Sequence, residues 1–558
     1  MQNLLLFMRT LLWAKIVVQC RKGGEDPVIY DPLAEYESKF RSLHTDNTKG
    51  YFEELVQRSG VDIEENRKTV REYNQLRENL SKLEKRLGWF RFFRVLMCIT
   101  ILLIPLVILK MTPKIKAMRT QIQEADKKAD ELYAKAWRQM APLNNLFTDR
   151  DALDLIEKTI PELSFDTCFS VKQEADMKIN YDYGEHNDAE QSTLDVLAGN
   201  YNENPFLFEN KVVHRMGEET YHGYRTISWT ETYYSDGKLK TRTRTQTLHA
   251  SVIKPKPFYD TQVVLSYCAQ GGPDLSFSRD ATNLDDKSER ALERYVKRGE
   301  RKLKKKTEQA IENNSDFMSM SNSEFEVLFD ALDRTDEVQY RTLFTPLAQT
   351  NMVDLICSKT SYGDDFHFIK RRRTNKIISQ HSQGRPINLL PEIYRSHSFD
   401  VIKENFIGKN TEYFKAVYFD FAPVLAIPIY QERPVHSLKP IPDYSQQYSL
   451  KECEALANAV DHRHITHPRT KTTAILKAEF VRSQGHADET SITAYSYDIE
   501  KQVDIIPVLG GDGFYHNVPV EWDDYIPLEM CKHFYISTED AAQSGNVIAS
   551  RNGLCIYQ

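Results

Sequence analysis

Residues 87–109 read LGWFRFFRVLMCITILLIPLVIL, and their reading decides where the rest of the chain is placed. Arg91 and Arg94 are the only ionisable groups in the stretch, and none falls between Val95 and Leu109. A helix of this length reaches across the hydrocarbon of a bilayer. Trp89, Phe90, Phe92 and Phe93 supply an aromatic belt at one end, and Pro105 interrupts the other half. The expectation is one transmembrane helix over 87–109, marked by Trp89, Phe93, Val95, Pro105 and Leu109.

Helical repeats flank the stretch. Tyr73, Leu76, Leu80, Leu83 and Leu87 alternate in steps of three and four, the spacing of a coiled-coil seam. Ile115, Met118, Ile122, Ala125, Ala129, Leu132 and Ala136 repeat the alternation, opened by Pro113 and closed by Pro142. The seams either associate between copies, giving a homo-oligomer, or pack within the chain. A single crossing keeps them apart, whereas a reversal at Pro105 brings them together. Basic residues do not orient the span, since six lie within twenty positions on either side.

The chain has 558 residues, 27% charged and 41% hydrophobic, with a net charge of −7. That composition fits two or three globular units rather than a polytopic transporter, and it restricts any polyanion site to a local patch. Eight cysteines are scattered without CxxC spacing, which favours a reducing compartment and a cytoplasmic main body. Arg9 and Lys15 break the apolar run of the first twenty residues, so an interfacial helix or a second, poorer span over 4–18 is a better reading there than a cleaved signal.

After Phe147 helix and strand mix. Thr226–Tyr234 and Leu239–Ile253, joined across Asp236-Gly237, form a long hairpin. Lys240, Arg242 and Arg244 alternate with Thr241, Thr243 and Thr245 along its second strand. Residues 285–313 read as helix, and 262–267, 416–421 and 425–430 as strands. A proline-rich connection, Pro434–Pro442, precedes a last portion with a helix over 450–460 and strands over 472–482, 490–499 and 503–509.

Within 322–356 stand Glu324-Phe325-Glu326, Phe329 and Glu337-Val338-Gln339-Tyr340-Arg341-Thr342-Leu343-Phe344-Thr345-Pro346. This pattern resembles a widespread bacterial family, of mollicute and Gram-positive type, of membrane-anchored proteins of unknown function. Leu194–Phe208 and Tyr362-Gly363-Asp364-Asp365-Phe366 are consistent with it. The resemblance implies an N-terminal helical membrane region followed by an α+β body, and no catalytic residue. Phe325, Leu328, Phe329 and Leu332 sit at core spacing, and Arg341 is one turn from Glu337, a surface contact of about 0.3 kcal/mol.

Three clusters are candidates for chemistry. His462, His464 and His467 stand in DHRHITH, where an extended backbone would point the first two the same way and the third would complete a metal set. A solvated loop before Pro468 is the plainer alternative. Gly510-Gly511-Asp512-Gly513 lacks the following helix and Lys-Ser/Thr pair of a phosphate loop, so it reads as a turn. Ten basic and three acidic residues lie between Lys287 and Lys306. With Leu292, Tyr295, Val296 and Leu303 as a stripe, Lys297, Arg298, Arg301, Lys302, Lys304, Lys305 and Lys306 mark a basic amphipathic helix suited to anionic lipid or nucleic acid. Lys370-Arg371-Arg372-Arg373 is a charged strand end.

The expected architecture is α+β, with a helical N-terminal region, one membrane span and a mixed body containing antiparallel sheet. Its segments are an amphipathic leader (1–60), a coiled-coil-like helix (61–86), the span (87–109), a second such helix (113–141), an α+β domain (142–433) and a C-terminal α+β portion (443–558). The expected protein is a bacterial single-pass cell-membrane scaffold or partner-binding protein without cofactor, its partners being the bilayer and further copies of itself. Its rivals are a metal-dependent hydrolase using the three histidines and a tether that uses the basic helix.

Overall fold

The computed structural model describes residues 28–99, 112–184, 190–282, 288–313, 317, 319–331, 333–434, 439–485, 487–538, 547–551 and 553–557. Two compact units emerge. Residues 34–161 and 388–418 form a helical unit, and residues 1–33, 162–387 and 419–558 a sheet unit. The last portion therefore belongs with the sheet domain, and no unit boundary falls between 433 and 443.

In the helical unit, α1 (Arg41–Ser59) ends at Gly60, whose φ of 62° breaks the helix, and α2 (Ile63–Ile99) begins behind Asp62. The Asp62 carboxylate accepts the Glu65 N–H at 2.9 Å, satisfying a free donor of the first turn. α3 (Thr112–Asn144) and α4 (Asp151–Thr159) follow. α2 and α3 run antiparallel: Glu65 meets Lys135, Tyr73 meets Tyr133, Arg77 meets Asp126, and Lys114 lies over the Phe90 ring. Leu80, Leu87, Ile115, Ile122 and Ala129 are buried between them, with Tyr73, Leu76, Leu83, Met118 and Ala125 alongside. Each seam is the other's partner.

This overturns the single crossing. Among the described residues no helix is long and apolar enough to cross a membrane. The helix that carries Leu87 and Trp89 folds its seam onto the helix after the apolar stretch, so both flanks return to one side, which a lone span forbids. Phe93 and Val95 lie on α2. Pro105, Leu109 and the leader through residue 27 lie outside the described residues. The single-pass cell-membrane placement is corrected with the span.

Burial sets the chemistry at the base of this unit. The His44 ring stacks on Phe414 with centroids 4.0 Å apart, and its Nδ1 lies 3.0 Å from Thr159 Oγ1. Desolvation pulls the imidazole down to about 4, so it is neutral at physiological pH. Asn66 accepts the Phe399 N–H and donates to the His397 carbonyl, fixing the start of residues 399–418.

The sheet unit holds two antiparallel sheets. β1 (Leu163–Phe165) precedes α5 (Val171–Tyr181), which opens with a capping box between Ser170 and Gln173. β2 (Gln191–Tyr201) turns at Asn202-Glu203, both at positive φ, into β3 (Asn204–Ser235), and β3 turns at Asp236-Gly237 into β4 (Lys238–Cys268). β5 (Ser276–Arg279) is followed by α6 (Glu289–Glu312), α7 (Ser323–Phe329), α8 (Glu337–Leu343) and α9 (Pro346–Cys357). β6 (Phe366–Arg371) and β7 (Thr374–Ser379) complete a seven-stranded sheet of order β1-β2-β3-β4-β7-β6-β5.

α10 (Phe399–Leu425) enters the unit with its last turns, and Pro428–Gln431 form a 3-10 turn. The strands expected at 416–421 and 425–430 are thus helix and turn. α11 (Leu450–Asn458) precedes β8 (Ile475–Gln484), β9 (Ala487–Leu509), β10 (Tyr515–Thr538), β11 (Val547–Arg551) and β12 (Leu554–Tyr557). These form a five-stranded sheet of order β11-β12-β10-β9-β8.

β3 and β4 have 32 and 31 residues, far beyond the usual strand of roughly 5–6. A two-stranded ribbon of that length is unstable in water unless one face is covered. The β9–β10 ribbon covers it. Ile227, Leu248 and Ala250 of the first ribbon are buried against Val518 and Val520 of the second, with Tyr221, Trp229, Val252, Ile506 and Val508 around them. Lys254 bridges the layers, 2.8 Å from Asp504 and 4.0 Å over the Trp522 ring. At Gly223 a Cβ would collide with the Pro519 carbonyl, so glycine is required by close approach rather than by φ. Gly223→Ala should cost about 1–3 kcal/mol. Urea denaturation should register the loss, and limited proteolysis should show earlier cleavage within 501–522.

Candidate functional site

α6, α7 and α8 enclose a groove of about 1200 Å³ in the sheet unit. One wall is α6, presenting Tyr295, Arg298, Lys302 and Lys306. The other is α7, the following loop and α8, with Glu326, Asp330, Asp333, Arg334, Glu337 and Arg341. Phe317 lines it too, with Lys306 4.2 Å and Arg334 5.2 Å from its ring centroid.

Aromatic packing holds this second wall. Phe277, Phe325, Phe329, Tyr340, Phe344 and Phe368 form one cluster, with Phe325 and Phe329 stacked at 5.1 Å and Tyr340 4.8 Å from Phe344. Phe325, Leu328 and Phe329 of the motif are therefore core, as their spacing implies, and so are Tyr340, Leu343 and Phe344, while Val338 is exposed. Leu332 lies outside the described residues. Caps set the helix starts: Asn322 accepts the Phe325 N–H, Asp336 the Gln339 N–H and Thr345 the Ala348 N–H. α6 meets α7 at Gly299, where a Cβ would run into the Val327 side chain. The glycine that weakens a helix on propensity alone is what brings the basic helix against its partner.

Charge is distributed unequally. Arg334 pairs with Glu326, lies 3.7 Å from Glu337 and stacks on Tyr340 at 4.4 Å. Asp333 accepts the Ser278 N–H and hydroxyl at 2.8 Å. Arg341 turns away from Glu337 and donates to the Ser319 carbonyl at 3.0 Å, which corrects the expected surface pair. Burial pushes the Glu337 carboxyl above its ordinary range. Arg334 Nη1, Arg341 Nε and Glu337 Oε2 are buried without a hydrogen-bond partner. On α6, Lys297, Arg298, Arg301, Lys302, Lys304, Lys305 and Lys306 are exposed, and none makes an ion pair among the described residues. Five acidic residues line the second wall, of which Glu326, Asp333, Asp336 and Glu337 have carboxylates engaged by it, while the first wall carries positive charge without ion pairs among the described residues.

The histidine cluster is arranged differently from the expectation. His462–His464 form one turn of 3-10 helix, capped by Asp461, so the backbone is not extended there. His467 Nδ1 accepts the Arg469 N–H at 3.1 Å. Among the described residues no group of three or more His, Cys, Asp or Glu side chains is gathered as a metal ion requires. Gly510–Gly513 is the β9–β10 turn, closed by Gly510 N–H to Phe514 O at 2.7 Å.

Two buried groups escaped the sequence reading. His381 lies between Asp365 at 2.5 Å and Asp420 at 3.4 Å, with Tyr362 stacked on it at 3.8 Å. Ser382 and Arg385 complete the shell of Asp420. Asp364, beside Asp365 in the motif, pairs with the buried Arg279. Lys370 is wholly buried, its Nζ donating to Gly271 O at 2.8 Å and Arg372 O at 2.5 Å. No sequence signal separates these residues from surface ones, because their partners lie far along the chain.

Compared with known proteins, the chain matches no family model, no curated protein and no solved structure.

Desolvation, helped by the Arg373 charge, lowers Lys370 from 10.5 to about 7. Between those values the unfolded chain holds a proton that the folded chain lacks, so stability rises with pH; below both values the dependence vanishes. Urea unfolding between about pH 7 and pH 9 should show a contribution of up to about 1.4 kcal/mol per pH unit. Lys370→Met should remove that slope.

Proposed function

We propose that this chain is a partner-binding protein whose α6–α8 groove takes an acidic peptide segment. One observation carries the reading: a line of seven exposed cations, without ion-pair partners among the described residues, forms the α6 face, three of them on the groove wall. In the groove the buried Nε of Arg341, without a hydrogen-bond partner, is a further donor suited to a carboxylate.

Lipid and nucleic acid are the weaker ligands for the groove itself. A phosphate backbone or membrane surface is anionic throughout, and Asp330, Asp333, Asp336 and Glu337 on the second wall would repel it. A peptide presents acidic groups one at a time and can turn its other side chains to that wall. The metal-hydrolase reading draws no support from the geometry, since the three histidines are not brought together.

Fluorescence anisotropy with a labelled peptide of alternating glutamate and leucine tests the proposal, against a lysine–leucine control. The acidic peptide should bind selectively and weaken as salt is added. Arg298→Gln/Lys302→Gln/Lys306→Gln should lower affinity about tenfold, at roughly 0.5 kcal/mol per charge removed. Equal binding of both peptides would refute the reading, as would tighter binding to phosphatidylserine vesicles or an oligonucleotide.

A further inference from the structure

The second ribbon of the arm has two faces, and only one is covered. Pairing of Val508 with His516, Ile506 with Val518 and Asp504 with Val520 sets the face that meets the first ribbon. The alternate pairs point away from it: Leu509 with Tyr515, Pro507 with Asn517, and Ile505 with Pro519. Val503, Ile505, Leu509, Phe514 and Tyr515 are 52%, 54%, 54%, 69% and 72% exposed. No charged residue interrupts this face from Val503 to Leu509 or from Tyr515 to Pro519.

The opposite outer face of the arm is polar over its middle, between the exposed Tyr224 and the Tyr234–Leu239 pair at its tip. Thr226, Ser228, Thr230 and Thr232 stand across from Thr247, Thr245, Thr243 and Thr241, all exposed. Water satisfies that hydroxyl ladder. It does not satisfy the apolar face, and a contiguous exposed patch of more than a few hundred Å² marks an interaction surface.

We infer that the outer face of the β9–β10 ribbon, centred on Ile505, Leu509 and Tyr515, is a homodimer interface between two copies of this chain. Three observations select a second copy. The five large side chains and two prolines expose roughly 600 Å² per copy, so a two-fold contact buries roughly 1,200 Å² in total, the lower bound of stable interfaces. From Ile505 to Leu509 and from Tyr515 to Pro519 the face is uncharged, with Glu521 across from Val503 at its margin, so the complement of its centre must be uncharged, and a copy of itself meets that condition. Pro507 and Pro519 lack the N–H that an added strand would need, which disfavours edge pairing and leaves sheet-on-sheet packing. In such an isologous contact the aliphatic row of β9 lies on the Tyr515 row of the other copy.

Sedimentation equilibrium of the full chain over a hundred-fold concentration range provides the test. The native chain should dimerise reversibly. Ile505→Glu should weaken association about thirty-fold or more, while Thr230→Glu on the polar face should leave it unchanged. Circular dichroism verifies that each variant is folded, and mixing Ile505→Glu with Ile505→Lys should restore a heterodimer. A native chain monomeric throughout would overturn the inference, as would an Ile505→Glu variant associating like the native chain. So would a monomer that floats with lipid vesicles through this face, since the occupant would then be a bilayer surface.

Discussion

Two buried carboxylates on one short helix hold the sheet unit together. α11 carries Glu452 and Glu454, both almost wholly buried. Glu452 accepts the Phe169 N–H at 2.8 Å and pairs with Arg551 of β11. Glu454 accepts the Thr193 N–H of β2 at 3.0 Å and pairs with Lys477 of β8 at 2.7 Å. One helix thus ties β2 of one sheet to β8 and β11, the two edge strands of the other. Burial raises Glu452 above the ordinary carboxylate range, and Arg551 opposes the shift. Such groups are costly to leave unpaired, so the pairing tolerates little slippage. Asn458 adds hydrogen bonds to Ser192 and Thr193 on the same strand.

That tie explains why two ribbons of unusual length remain ordered. Their roots are fixed by α11, and their shafts then meet face to face over Ile227, Leu248, Val518 and Val520. A slip of one residue in either ribbon would turn its aliphatic row outward and bring polar side chains inside. The tight turn at Asp236-Gly237 sets the register of one ribbon. The other is set by the glycine turn, where Asp512 holds His516 at 2.9 Å. Register, turn chemistry and cross-layer packing agree, which is what a long solvent-flanked arm requires.

Legibility in the sequence follows how local each signal is. The first hairpin is readable because Asp236-Gly237 and the Thr alternation are local. The helix pair is readable because its seams repeat; that they close on each other is a tertiary fact, and the apolar stretch between them suggested a crossing instead. Residues 416–425 look like strand because Val417, Tyr418, Phe419 and Phe421 favour sheets and the segment is buried on all sides, leaving no helical period to see. The basic stripe of α6 is visible, but its groove is not, because the opposite wall comes from residues 317–341. Gly299 is the instructive position: propensity marks it as a flaw, and its contact with Val327 shows it to be a fit.

Charge pairing elsewhere makes the bare face of α6 informative. In the sheet unit, five buried or half-buried cations are matched by carboxylates: Arg279 by Asp364, Arg334 by Glu326, Arg551 by Asp195, Lys451 by Glu209 and Lys477 by Glu454, while Lys370 donates to carbonyls instead. The long ribbons are matched as well, with Glu231 serving Arg242 and Arg244 together. α6 itself carries Glu293, Glu300 and Glu308, yet among the described residues none of them pairs with its seven cations. Seven neighbouring cations on one helix repel each other, a cost in folding free energy that no ion pair among the described residues relieves. Matching charge from outside the chain relieves it, and the groove beside Arg298, Lys302 and Lys306 gives that charge a bounded place to bind.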